Sequence, residues 1–270
     1  MQLVEGDLPD RDAVTSAVSG CEVIFHHGAR KSVLRSVADP EAFAEVNVGG
    51  TLNVLLAARD EGAAVVFASS SSVYGDQDVF PLREELEPRP RSPYAATKLA
   101  GEGLMRAWWH SYDVPTVSFR YFNVYGPYQD AASEYAAVIP RFAIACLSGA
   151  TPVIYGDGEQ ARDFTFVDDV VEANLRAARA PEAAFGRVLN VGGGREPTSV
   201  NELLRLVAGA SGANVRARFE PAREGDIRRS HADVSLAATL LGYAPKVPIQ
   251  EGVRRTVQWF ATRLTAVRRE

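Results

Sequence analysis

The chain has 270 residues, enough to bury one large core or two modest ones. Hydrophobic residues make up 46% and charged residues 23%, the balance of a globular protein without repeats or low-complexity tracts. A net charge of −5 offers no attractive field for a polyanion, which argues against nucleic acid as a partner. No run of about 20 apolar residues occurs, and the first ten residues lack the basic and apolar regions of a signal peptide, so neither a membrane span nor export is expected. Cys21 and Cys146 lie far apart in apolar surroundings and read as reduced thiols, which makes the expected location cytoplasmic.

In chain order, short β-branched runs alternate with longer Ala/Leu/Arg segments. QLVEGD (2–7), CEVIFHH (21–27), AAVVFASSS (63–71), TVSFRYF (116–122) and RVLNVGG (187–193) read as buried strands. DRDAVTSAV (10–18), the stretch 41–62 and SPYAATKLAGEGLMRAWWHSY (92–112) carry helical patterns between them. This alternation predicts a doubly wound parallel α/β sheet, Rossmann-like, whose strands present their carboxyl ends along one ligand-binding edge. Beyond residue 124 turns become frequent, until FVDDVVEANLRAARA (166–180) returns to helix with Asp168 as its expected N-cap. The expected division is a dinucleotide-binding part over 1–124 with a return segment at 164–192, and a smaller lobe from 125–163 and 193–270.

Within SPYAATK, Tyr94 and Lys98 stand four apart and share one face of a helix. An ammonium beside a phenol favours the phenolate, so the pair makes a general base. Only three lysines occur, at 31, 98 and 246, which sharpens the pairing. Four hydroxyls, Ser69 to Ser72, end the strand 63–71 at the edge where a parallel sheet presents chemistry. Each serine either binds a substrate hydroxyl or caps the following turn. The adjacent His26 and His27 point to opposite faces of a strand and have no third partner in view, so packing is expected there and no metal site.

A strand-end serine followed by Tyr-x-x-x-Lys resembles the extended short-chain dehydrogenase/reductases. The segments EVIFHHGA, NVGGTLNVLLAA, FRYFNVYGP, GDGEQARDFTFVDDVV and REGDIRRSHADVSLAATLLGYAP narrow the resemblance to nucleotide-sugar epimerases and dehydratases, closest to those acting on UDP-glucose or UDP-N-acetylglucosamine. The resemblance implies Tyr94 as base on the sugar 4-hydroxyl, Ser70 as its hydrogen-bonding partner, and Lys98 on the nicotinamide ribose of NAD. It further implies cofactor contacts at Asp7, Leu8, Gly28, Ala29, Asn47 and Tyr121. For the UDP-sugar it implies Asn123, Val138, Tyr155, Arg162, Arg223, Asp226 and Ser230; an arginine fork suits phosphate. A homodimer through the helix bearing Tyr94 and the helix before it is likewise implied.

The residues also sort the chemistry. The dehydratases of this family carry an Asp-Glu pair after the strand-end hydroxyl, where this chain has Ser71 and Ser72. Without a carboxyl group to move the extra proton, elimination is disfavoured and 4-epimerisation through a transient 4-keto sugar is expected. Ser230 stands where a bulky tyrosine restricts such pockets to plain hexoses, so an N-acetyl group is expected to fit. Against this, QLVEGD resembles the family's third strand, so the chain reads as N-terminally truncated. The glycine-rich turn expected of a dinucleotide fold does not precede it, and Gly192–Gly194 is not its substitute. Strand order 3-2-1-4-5-6 would then leave raw edges, from which doubtful autonomous folding is expected. The alternatives are an inactive fragment, a nucleotide-sugar-binding protein without redox chemistry, or another dehydratase or reductase of the family.

Overall fold

The computed structural model describes residues 3–130, 137–222 and 227–267, the side chains of 265–267 excepted. In chain order the elements begin with α1 (Arg11–Val18), β1 (Val23–His26), α2 (Val33–Ala38) and α3 (Pro40–Ala44). A π-helical turn (Glu45–Gly49) leads into α4 (Gly50–Glu61), β2 (Ala64–Ser70), a 3-10 turn (Ser71–Tyr74), α5 (Pro93–Tyr112) and β3 (Thr116–Tyr121). There follow β4 (Val124–Tyr125), α6 (Val138–Ser148), β5 (Val153–Tyr155), β6 (Ala161–Arg162), β7 (Thr165–Phe166) and α7 (Val167–Ala177). The chain then runs through β8 (Arg187–Val191), β9 (Thr198–Ser199), α8 (Val200–Ser211), β10 (Arg218–Glu220), α9 (Ser235–Leu241) and α10 (Ile249–Val267).

Two compact units emerge. The first comprises residues 1–121, 171–191 and 233–244; the second comprises 122–170, 192–232 and 245–270. The segment 233–244 therefore belongs with the first unit, where the expected boundaries put it in the smaller lobe. Its attachments are specific: Asn190 Nδ2 donates to Asp233 O at 3.0 Å, and Arg176 Nη1 to Leu241 O at 3.0 Å.

The first unit is built on a four-stranded, wholly parallel sheet in the order β1-β2-β3-β8. Strands β2 and β3 are buried along nearly their whole length, as continuous apolar runs covered on both faces should be. Val14, Val18, Val54, Leu55, Phe67 and Met105 belong to one core that joins α1, α4 and α5 to the sheet. The helices start where local chemistry starts them. Asp10 caps α1 through Asp12 N and Ala13 N, while Ser92 caps α5 through Ala95 N with Pro93 in the first turn. Left-handed Gly62 and Asp113 stop α4 and α5.

Two expectations fail here. Residues 3–7 form no strand: among the described residues β1 pairs with β2 alone and no ladder reaches that segment. Asp168 is not an N-cap: it lies inside the first turn of α7 and accepts from Arg255 Nη2 at 2.7 Å.

The second unit has a helical core in which Phe142, Cys146, Leu203, Val207, Val253 and Phe260 pack α6, α8 and α10 together. Three short ladders accompany it, β4–β7 and β5–β10 parallel and β6–β9 antiparallel. Among the described residues no helix is long and apolar enough to cross a membrane.

Candidate active site

In the first unit, the N-terminal turn of α5 and the carboxyl end of β2 bring the expected chemistry together. Tyr94 stands in the first turn of α5 and Ser70 closes β2. Burial pushes the Tyr94 phenol above its ordinary value, and the Ser70 hydroxyl works in the opposite direction. Lys98, one turn further along α5, is 4% exposed and donates from Nζ to Ala68 O at 2.7 Å. Its ammonium also lies 5.0 Å from the centre of the Phe67 ring. Burial lowers its pKa from 10.5 to about 8.

Ser70 also caps the turn that follows it, accepting from Ser72 N at 3.2 Å and from Ser72 Oγ at 2.9 Å. Of the two readings of a strand-end serine, capping is thus realised at Ser70. Ser69 turns to a different partner and donates to Glu102 Oε1 at 2.5 Å. Glu102 grips Arg120 twice, at 2.8 and 3.0 Å, and the Arg120 guanidinium lies 4.5 Å over the Tyr74 ring. Tyr74 OH in turn donates to Asn190 Oδ1 at 2.7 Å. Ser69, Arg120 and Asn190 are register partners on β2, β3 and β8, so a row of buried polar side chains crosses the sheet next to the serines.

The expected cofactor residues of the first unit lie around a second feature. Asp7, Leu8, Gly28 and Ala29 line a cavity of about 500 Å3 together with Gly6 and Arg30. Leu8 packs so closely that a Cβ on Gly50 would stand 2.5 Å from its own Cβ. Asn47, in the π-helical turn, reaches the other wall: its Oδ1 accepts from Arg30 N at 2.8 Å and its Nδ2 donates to Arg30 O at 3.1 Å. The same Nδ2 donates to Thr97 Oγ1 at 3.0 Å on α5, so one side chain ties the Arg30 loop to the helix of Tyr94. Tyr121 donates to Asn174 Oδ1 at 3.0 Å and stacks on His27. His26 is buried and paired with Thr51 Oγ1 at 2.9 Å; burial, with Lys98 and His27 adding to it, lowers its pKa to about 3. The size of the cavity, its small and apolar walls and the Asp7 carboxylate among them fit the nucleoside end of a dinucleotide.

In the second unit, Asn123 and Ser230 are brought within 3.5 Å of each other, and Asn123 Nδ2 also donates to Asp163 O at 3.2 Å. Asn123 holds a left-handed φ of 34°. Ser230 is buried at 7% exposure, between backbone bonds to Ala161 and Asp163. Tyr155 ends β5 with the Arg141 guanidinium 5.6 Å from its ring centre, and Arg162 sits half-buried in β6. Val138 opens α6 and packs on that unit's core. Arg223 and Asp226 lie outside the described residues. The glycine run Gly192–Gly194 has a local partner: the buried Asp163 accepts from Gly193 N at 2.6 Å and from Ala232 N at 3.0 Å. A Cβ on Gly192 would stand 2.6 Å from Ala232 Cβ and 3.0 Å from the Asp163 carboxylate.

Several participants were missed by the sequence reading: Thr97, Glu102, Arg120, Asp163 and Asn174. A signal existed for two of them. Glu102 stands four after Lys98 on the face of Tyr94, and Arg120 is a lone charge inside an apolar strand.

The family model for the NAD dependent epimerase/dehydratase family matches residues 1–192, and the chain belongs to that family. UDP-glucose 4-epimerase of Mycolicibacterium smegmatis is 44% identical over 262 residues, covering 96% of this chain and 82% of the relative. Among solved structures, UDP-N-acetylglucosamine 4-epimerase from Methanobrevibacter ruminantium, in complex with UDP-N-acetylmuramic acid, superposes with a TM-score of 0.91. It is 36% identical and covers 96% of this chain and 82% of its own. UDP-glucose 4-epimerase of Thermus thermophilus, solved with NAD, gives a TM-score of 0.86 at 38% identity, covering 95% and 84%.

Proposed function

We propose that this protein is an NAD-dependent 4-epimerase of UDP-sugars, acting on UDP-N-acetylglucosamine/galactosamine, on UDP-glucose/galactose, or on both. The observation that carries the reading is the placement of Ser70 at the carboxyl end of β2 and of Tyr94 in the first turn of α5, with the buried Lys98 one turn on and hydroxyls instead of carboxyls at 71 and 72. A phenol there is equipped to take one proton from a sugar hydroxyl and return it. With only serines at 71 and 72, no neighbouring side chain there can move a second proton, which elimination would need.

Bound NAD supplies the hydride acceptor and donor for C4. Asp7, Leu8, Gly28 and Ala29 would hold its adenosine end, and Asn47, Lys98 and Tyr121 its nicotinamide ribose side. Tyr94 takes the 4-hydroxyl proton while Ser70 fixes that hydroxyl in line. Asn123, Val138, Tyr155, Arg162 and Ser230, with Arg223 and Asp226, anchor the UDP portion and leave the sugar free to present its other face. The small, buried Ser230 beside Asn123 supports room for an acetamido group.

The reading extends to a cytoplasmic homodimer. Two free cysteines suit a reducing compartment, and Leu52 on α4 and Tyr112 on α5 are exposed, as a helix–helix interface would need. Incubation of the purified protein with NAD and each UDP-sugar, with the 4-epimers resolved chromatographically, tests the activity. Formation of the 4-epimer is expected; accumulation of a dehydrated 4-keto product instead would sink it.

A further inference from the structure

We infer that Thr97 is a positioning residue for Tyr94, given Tyr94 as the general base and the cavity of about 500 Å3 as the seat of the NAD adenosine end. Through Asn47 the Thr97 hydroxyl fastens the first turn of α5 to the Arg30 loop that walls this cavity.

The Asn47 amide meets both backbone groups of one residue: Oδ1 accepts from Arg30 N at 2.8 Å, and Nδ2 donates to Arg30 O at 3.1 Å. A backbone N–H only donates and a carbonyl only accepts, so the amide has a single orientation. The other Nδ2 proton goes to Thr97 Oγ1 at 3.0 Å. That nitrogen has no lone pair to offer, so Thr97 accepts there, and its own proton is left for the Tyr94 carbonyl at 2.8 Å. Arg30, Asn47, Thr97 and Tyr94 thus form one series whose direction is fixed by donor and acceptor chemistry. Asn47 is 3% and Thr97 7% exposed, so solvent does not readily replace a lost bond. The same stretch of chain holds the phenol from another side: Phe43, four residues before Asn47, meets the Tyr94 ring edge-on with centroids 6.5 Å apart. Arg30 lines the cavity with Gly28 and Ala29, so a shift of that wall is passed to the turn that carries the base.

The test compares Thr97→Val, which keeps the shape and removes the hydroxyl, with Thr97→Ser, which keeps the hydroxyl. The first readout is hydrogen exchange of the Arg30 amide in the cofactor-free full chain, with the Phe119 amide in β3 as internal reference. The second is NAD affinity by calorimetry, and the third is kcat and KM for 4-epimer interconversion at saturating NAD. In Thr97→Val the Arg30 amide is expected to exchange about five- to tenfold faster relative to Phe119, the size of one lost buried hydrogen bond. NAD affinity and kcat should each fall about fivefold or more, with KM for the UDP-sugar within about twofold. Thr97→Ser is expected to restore all three, and Thr97→Ala, without added bulk, should behave as Thr97→Val does. A residue that served stability alone would speed both amides by one factor and leave kcat per folded molecule unchanged; that result overturns the proposal. Equal loss in the Ser and Val variants overturns it too. Full turnover by Tyr94→Phe would remove the reading of Tyr94 as base, whereas an inactive Tyr94→Phe beside a wild-type-like Thr97→Val removes only the role of Thr97.

Discussion

Glu102 on α5 and Arg120 on β3 form a two-point ion pair at 2.8 and 3.0 Å, each side chain no more than 5% exposed. Ser69 adds a third bond to the same carboxylate. Breaking a buried pair leaves a charge without compensation, whereas removing both partners does not.

Glu102→Ala is therefore expected to lower stability by about 3–5 kcal/mol. Glu102→Ala combined with Arg120→Met should recover a large part of that loss. Urea unfolding of the wild type and both variants measures it. A single variant within about 1 kcal/mol of wild type would show that the pair carries little of the fold.

Tyr94→Phe removes the proton acceptor and leaves the ring in place. Turnover should fall by about a hundredfold or more, with the urea midpoint unchanged or raised. In the wild type, burial holds the phenol above its ordinary value, so phenolate is scarce near neutrality. The logarithm of kcat/KM should then climb with pH on the acid side, and this limb should be missing from the variant's residual rate. A flat wild-type profile through neutral pH would count against Tyr94 as base.

Two buried cations give stability a pH dependence of predictable sign. Lys98 titrates near 8 when folded and 10.5 otherwise, so between these values the unfolded chain binds the extra proton and stability rises with pH. His26 titrates near 3 against 6.5, and stability rises with pH across that lower window for the same reason. Each contributes a slope of about 1.4 kcal/mol per pH unit inside its window. Above pH 9 the Cys146 thiol, pushed up by burial, and above pH 10 the buried Tyr74, pushed up to about 12, oppose the Lys98 slope, so the clean interval is 8 to 9. Lys98→Met should flatten the upper interval and His26→Gln the lower. Denaturant midpoints against pH for the three proteins read this directly, and parallel curves would refute it.

Ser230→Tyr should fill the space beside Asn123. Turnover of UDP-N-acetylhexosamine is expected to drop at least about tenfold relative to UDP-glucose. Competition between the two substrates in one reaction measures the ratio; an unchanged ratio would remove Ser230 as a selector.

The features legible in the sequence are those whose partners are close along the chain or set by the period of one element. The i, i+4 spacing of Tyr94 and Lys98 and the serines closing β2 are of this kind, and α5 carries both residues while β2 ends on Ser70. The parallel sheet was legible for a similar reason, since continuous apolar runs separated by helices leave few alternatives. Contacts that depend on tertiary packing were not. Asn47 meets Arg30 across 17 residues and Thr97 across 50, and Arg120 finds Glu102 only once α5 lies on the sheet. The strand expected at 2–7 failed because an apolar pattern predicts burial, while a strand also needs a neighbour to bond with.

The π-helical turn at Glu45–Gly49 amounts to one surplus residue wound into an otherwise continuous helix. Deleting any one residue there would let the backbone relax into regular α-helix and would look benign by local criteria. It would also rotate everything on one side of the deletion by about 100° relative to the other, at 3.6 residues per turn. Asn47 could not then face Arg30 and Thr97 while α4 kept Gly50 against Leu8. The length of this segment is thus under tighter constraint than the identity of most of its residues, and a more regular helix here would be a broken one.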